Sequence, residues 1–230
     1  MQLHRFADAA ALTQALAAQI IASLADGVRE RGGASLAVSG GRSPIALFEQ
    51  LSDMPLDWPR VSVTLVDERW VDTASSDSNE RLVRAHLLRN AAVSANFVGM
   101  KQATAEPDIA AAASWSAISR LPRPFDYVLL GMGDDGHTAS LFPQAPGLQA
   151  ALDPRAPPAC VGMIAPQEPR ARMSLNLSAL LDARRIALLI TGEGKWATYQ
   201  RAVQSGPVTQ MPVRALLRQQ QVPLVVYWAP

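Results

Sequence analysis

Residues 125–143 read FDYVLLGMGDDGHTASLFP: a run from Phe125 to Leu130, apolar but for Asp126, that stops at three glycines, two aspartates and a histidine. Aromatic and aliphatic side chains without polar alternation mark a strand buried on both faces, as in a parallel sheet. Gly131, Gly133 and Gly136 also spell G-x-G-x-x-G, the spacing of a dinucleotide-binding turn. That reading requires a helix starting in the loop and an acidic residue ~20 positions on, at the end of a second strand. Asp153 stands at that distance, but GLQAAL precedes it and Pro154 follows. Pro143 would cut the helix short, and Asp134 and Asp135 would repel a pyrophosphate. The loop therefore ends a strand without cradling a nucleotide.

Working outward, the same buried-strand signature recurs. ASLAVS (34–39), VSVTLV (61–66), RIALLIT (185–191) and VPLVVYW (222–228) read as strands, and RMSLNL (172–177) as a further one before a helical turn. Between them lie helical patterns. The first twenty or so residues carry Leu12, Leu16, Ile20 and Leu24 at helical spacing, ended by RGG at 31–33. SPIALFEQL begins with Ser43 as a cap and Pro44 in the first turn. Residues 77–88, 106–119 and the stretch through KWATYQRAV complete the helices. Seven prolines between Pro143 and Pro169 exclude long regular elements there. Strands alternating with helices predict a three-layer α/β fold, a mostly parallel Rossmann-like sheet flanked by helices, in one domain over residues 1–230.

Composition narrows the function classes. The chain of 230 residues is 49% hydrophobic and 18% charged with a net charge of +1, and no cationic run suggests a nucleic-acid partner. Cys160 is the single cysteine, so neither an intrachain disulfide nor a thiol-rich metal site can form. Asp8, Gln14, Gln19 and Asp26 interrupt the apolar N-terminus, which excludes a signal-type core or a membrane span. The expectation is a cytoplasmic protein with no membrane or nucleic-acid partner, acting on a small molecule, with a monomer favoured.

In parallel sheets, ligands sit at the carboxyl ends of the strands. The loops that leave these ends are SGGRSP, DERW, GMGDDGH and TGEGK, the stretches richest in reactive and charged residues. In SGGRSP, Gly40 and Gly41 free the backbone to turn its N–H groups on an anion, and Ser39 and Ser43 add hydroxyls. The same residues also serve a plain strand-to-helix turn, and an anion site gains only where cations surround it. Arg42, Arg69, Arg172 and Lys195 are the candidates. TGEGKW is no P-loop, because Leu189 and Trp196 replace the residues that motif needs. In DERW, Asp67 or Arg69 faces the crevice, depending on register. His137 is the candidate general base, with Asp135 two residues earlier able to orient its ring; a capping role is the alternative. No second His or Cys cluster completes a metal shell around it, and no G-x-S-x-G elbow exists.

Together SGGRSP, VDERWV, DSNERLVRAHLL, GMGDDGHTASLFP, TGEGKW and VPLVVYW resemble the 6-phosphogluconolactonase family, in order and spacing, over nearly the whole chain. The wider superfamily includes glucosamine-6-phosphate deaminases, which carry a glutamate five residues after the histidine and usually an aromatic at the DERW arginine. Here those positions hold Phe142 and Arg69, so the resemblance favours the lactonases. A deaminase-like enzyme or a non-catalytic sugar-phosphate-binding protein on the same fold are the alternatives.

The resemblance implies hydrolysis of 6-phospho-D-glucono-1,5-lactone in the oxidative pentose phosphate pathway, without metal or cofactor. His137 would activate water, with Asp135 or Asp67 holding its ring. The phosphate would lie in SGGRSP, assisted by Arg69, Lys195 and Arg172; Arg170 competes with Arg172 for that place.

Overall fold

The computed structural model describes all residues, Met1–Pro230. Its strands are β1 (Gln2–Arg5), β2 (Ala34–Val38), β3 (Val61–Leu65), β4 (Asp67–Arg69), β5 (Asn96–Val98), β6 (Tyr127–Gly131), β7 (Cys160–Ile164), β8 (Ala171–Leu175), β9 (Ile186–Thr191) and β10 (Leu224–Ala229). The helices are α1 (Ala9–Arg31), α2 (Ile45–Asp53), α3 (Asn79–His86), α4 (Pro107–Ile118), α5 (Leu148–Ala151), α6 (Leu177–Leu181), α7 (Glu193–Val203) and α8 (Val213–Arg218). Seven strands form one sheet in the order β1-β10-β9-β6-β2-β3-β5, every pair parallel. Helices flank it, as an α/β alternation requires.

The strands β2 and β3 are buried at every position, and β6 and β9 at all but the last; the polar positions of β3 are the small hydroxyls of Ser62 and Thr64, which burial on both faces tolerates. The helix α1 supplies the largest cover. Asp8 caps it, its Oδ1 accepting from the Ala11 N–H at 2.8 Å, and Gly32 ends it at φ 76°. By length and mean hydropathy (1.3) α1 could span a membrane, but Leu12, Leu16, Ile20 and Leu24 are at most 1% exposed in the core. Burying each such side chain contributes about 1.5–3 kcal/mol, so this helix is held by the sheet.

Three details depart from the sequence expectations. The helix does not occupy the first residues: Gln2–Arg5 form an exposed edge strand beside β10. Its existence rests on main-chain pairing, which leaves no side-chain pattern to read. Ser43 does not cap α2, whose N-cap is Pro44 with no side-chain hydrogen bond; the Ser43 hydroxyl faces Thr191 Oγ1 at 3.5 Å instead. A second sheet also exists, antiparallel, in the order β4-β8-β7. One of its strands lies in the proline-rich stretch, where five residues fit between Pro158 and Pro166.

The topology fixes where a ligand can bind. From β2 the chain steps outward through β3 to β5, then returns to place β6 on the other side of β2 and continues through β9 to β10. The strand order reverses between β2 and β6. At such a switch point the loops leave in opposite directions and open a crevice beyond the carboxyl ends. SGGRSP leaves β2 there and GMGDDGH leaves β6.

Candidate active site

A cavity of about 610 Å³ occupies that crevice. Ser39, Gly40, Gly41, Arg42 and Ser43 line it from β2, Asp67 and Arg69 from β4, Asp135 and His137 from β6, Arg172 from β8, and Lys195 from α7. Arg170 is not among the lining residues; its Nε donates to the Ala165 carbonyl.

The β6 loop is folded around its histidine. The Gly133 N–H donates to the His137 carbonyl at 2.9 Å and the Gly136 N–H to the Gly133 carbonyl at 3.0 Å. A Cβ on Gly133 would lie 2.1 Å from His137 Nδ1, so only glycine lets the imidazole fold back over the turn. Asp135 Oδ1 stands 2.6 Å from His137 Nδ1 and also accepts the His137 N–H at 3.0 Å. Burial pushes the Asp135 carboxyl up, but its bonds to His137 outweigh that and hold it below the ordinary carboxylate range. An ionised Asp135 makes Nδ1 the protonated nitrogen, leaving Nε2, which has no protein partner, with a lone pair. Asp67, the other aspartate considered for this task, does not reach the ring. Its Oδ2 accepts the Ser140 hydroxyl at 2.6 Å. The remaining histidines lie elsewhere, His86 paired with Glu49 at 3.0 Å and His4 edge-on to Tyr227.

The small sheet supplies the cationic wall. Alternation along β4 turns Asp67 and Arg69 to the cavity and Glu68 away from it. Glu68, 1% exposed, accepts from the N–H groups of Arg69, Asn79 and Glu80 and from the Ser78 hydroxyl, closing the N-terminus of α3. Arg69 pairs in register with Arg172 across the antiparallel ladder. Like charges directly opposite are destabilising. The Arg172 guanidinium is 8% exposed with an unpartnered Nε, and burial, then the charge of Arg69, lower its pKa against the pull of Asp67 and Glu68. Burial likewise lowers Lys195, with Arg42 adding to the effect and Asp134 opposing it. None of Arg42, Arg69, Arg172 and Lys195 takes part in a salt bridge.

Between these cations the SGGRSP turn presents donors. The N–H groups of Gly40, Gly41, Arg42 and Ser43 make no backbone hydrogen bond. Gly41 holds φ at 95°, and a Cβ on Gly40 would meet Asn79 Oδ1 at 1.9 Å. Free N–H groups at a helix start, ringed by unpaired cations, form a site for a multiply charged anion. Beside it an oriented imidazole offers proton transfer.

The sequence did not place Ser140 or Asn79 in the site, and it singled out Phe142 only as the residue that separates lactonase from deaminase. Ser140 and Phe142 lie in the quoted loop itself and Asn79 in DSNE; position next to a loaded motif was the available signal. Phe142 packs on His137, ring centroids 4.6 Å apart.

The profile of the glucosamine-6-phosphate isomerase/6-phosphogluconolactonase family matches residues 7–228. The 6-phosphogluconolactonase of Pseudomonas aeruginosa is 45% identical over 228 residues, covering 99% of this chain and 94% of that protein. That of Rhizobium meliloti is also 45% identical, over 99% of this chain and 98% of the relative. The crystal structure of a 6-phosphogluconolactonase from Shewanella baltica superposes with a TM-score of 0.96 at 43% identity, covering 100% of this chain and 98% of the other. A monomeric glucosamine-6-phosphate deaminase, 16% identical with a TM-score of 0.75 over 98% and 97% of the two chains, shares the fold.

Proposed function

This chain belongs to the family of glucosamine-6-phosphate isomerases and 6-phosphogluconolactonases and hydrolyses 6-phospho-D-glucono-1,5-lactone to 6-phosphogluconate, and we propose that it does so with water activated at His137. The observation that carries this mechanism is the 2.6 Å contact between Asp135 Oδ1 and His137 Nδ1, beside a partner-free Nε2 in a cavity of unpaired cations.

The phosphate occupies the SGGRSP turn, held by its free N–H groups and by Arg69, Arg172 and Lys195. Anchoring the remote end sets the C1 carbonyl against the imidazole, so part of the binding energy is spent on orientation. Nε2 takes a proton from water as its oxygen bonds to C1, and the carbonyl becomes a tetrahedral oxyanion. Asp135 stabilises the imidazolium that results. Collapse of the oxyanion breaks the bond from C1 to the ring oxygen, which leaves with the proton returned by His137. The products are the open acid and the resting imidazole. A δ-lactone is a reactive ester, so the sequence needs no covalent intermediate.

Phe142 supports the lactonase chemistry over deamination, since an apolar ring at that position cannot transfer protons. The residues assigned to the reaction all come from one chain, as a monomeric enzyme requires, and the cytoplasmic location expected from the sequence rests on its single cysteine.

The test measures disappearance of freshly made lactone, corrected for spontaneous hydrolysis. His137→Ala should lose about 10²–10⁴-fold in kcat, the range for a positioned general base. A variant that keeps the wild-type rate refutes the role of His137. Ammonia release from glucosamine 6-phosphate should stay at background.

A further inference from the structure

Phe142 has no chemistry of its own, yet it sits between the two working parts of the cavity. Its ring is 7% exposed, with the His137 imidazole 4.6 Å away at an interplanar angle of 46°. On the other side the Arg172 guanidinium carbon lies 5.9 Å from its centroid. The two contacts are unequal. A tilted aromatic pair at that separation is favourable beyond its burial. A cation–π contact fades near ~6 Å, so the Arg172 contact is at its limit. The ring's principal partner is the histidine.

The backbone between them is bent to make this contact. The Leu141 N–H returns to the Thr138 carbonyl at 3.0 Å, and Ala139 holds φ at 49°. A left-handed conformation is unfavourable for a non-glycine residue. That cost is accepted in a five-residue excursion that brings Phe142 back over the imidazole.

Asp135 fixes the ring only at Nδ1, and a single hydrogen bond leaves the imidazole free to swing about that point. An aromatic ring packed against the imidazole at 4.6 Å restricts that freedom. Resting on the proposed role of His137 as base, we propose that Phe142 is a positioning residue for the lactonase reaction. It clamps the imidazole face so that Nε2 stays directed at the lactone carbonyl. Asp135 selects the nitrogen and Phe142 sets its direction.

The test compares wild type, His137→Ala, Phe142→Leu and Phe142→Tyr on the lactone. Phe142→Leu keeps an apolar side chain but loses the flat face, so kcat should fall about ten- to a hundredfold, the scale of a small misalignment. KM should change less than about twofold, because the phosphate anchors are untouched. Phe142→Tyr restores the face and should recover most of kcat. Wild-type kcat in Phe142→Leu, with His137→Ala inactive, overturns the clamp. So does a rise in KM at constant kcat, which would assign the ring to Arg172. Should Phe142→Leu not fold, the wild-type NMR spectrum decides. A nuclear Overhauser effect between the Phe142 ring protons and the carbon-bound protons of His137 is required, and its absence refutes the clamp. An active His137→Ala would instead refute the role of the histidine, a separate outcome.

Discussion

The seven-stranded and three-stranded sheets divide stability and function between them. The buried positions of β2, β3, β6 and β9 are nearly all aliphatic, and a contiguous core runs from Leu12 on α1 to Ala229 on β10. The buried positions of β4 are Asp67 and Glu68, and β8 buries an arginine. Such a surface contributes little to stability and holds charge where a ligand can use it. The antiparallel ladder is suited to this, because register opposes Arg69 to Arg172 across one face. A parallel sheet offers the ligand only its loop ends, and that is where the histidine lies. The proton-transfer pair we propose thus comes from the large sheet's rim, and much of the proposed anion grip from the small sheet's face.

Substitutions in the two sheets should therefore separate stability from turnover. The largest effect is expected from Leu188→Ala. Leu188 is fully buried in β9 between Leu130 and Val226, and truncation there should cost about 2–5 kcal/mol in urea denaturation. Below its unfolding transition the variant should retain wild-type KM. Next is Arg172→Met, which removes a cation from the site and an unpartnered Nε from the interior. Losing the charged hydrogen bond to the phosphate proposed for it, about 1.5–3 kcal/mol, should lower kcat/KM roughly 10–150-fold. The melting temperature should hold or rise, because a buried charge opposite another is relieved. A loss of stability comparable to that of Leu188→Ala would break the contrast.

The same division decides what the sequence reveals. ASLAVS, VSVTLV, FDYVLL and RIALLIT declare themselves because burial on both faces demands mostly apolar runs, interrupted only by small hydroxyls and Asp126. From them follow the sheet, the direction of its carboxyl ends and the convergence of four loops. DER at β4 has no such signature: its three residues are charged, and main-chain pairing with β8 makes it a strand. With that sheet hidden, the opposition of Arg69 to Arg172 was hidden too. Which aspartate serves the histidine is a side-chain question that no spacing rule answers. Asp135 wins because the loop closes on itself over two residues, while Asp67 is drawn to Ser140. Ser43 lost its expected capping role because it stands one residue too early: α2 starts at Ile45 with Pro44 as its N-cap.

The smallest effect tests the large sheet's rim. Asp135 has its carboxyl held below the ordinary range: burial raises it, and the bonds to His137 more than compensate. A carboxylate depressed in the folded state stabilises the fold in full above its unfolded pKa, about 3.9, and loses that contribution as the pH falls through the folded value. Asp135→Asn should therefore melt slightly below wild type above about pH 4, and the gap should close on further acidification. The side chain is 42% exposed, so solvent screening keeps the gap small. Turnover behaves differently. At neutral pH the variant lacks the charge that fixes the protonated nitrogen and stabilises the imidazolium, so kcat drops while the phosphate anchors keep KM. Melting curves in a pH series, read beside kcat at neutral pH, separate the two roles. A melting gap that persists or widens in acid would break the assignment to the Asp135 charge, since the other contact, to the His137 N–H, is one an asparagine oxygen also accepts.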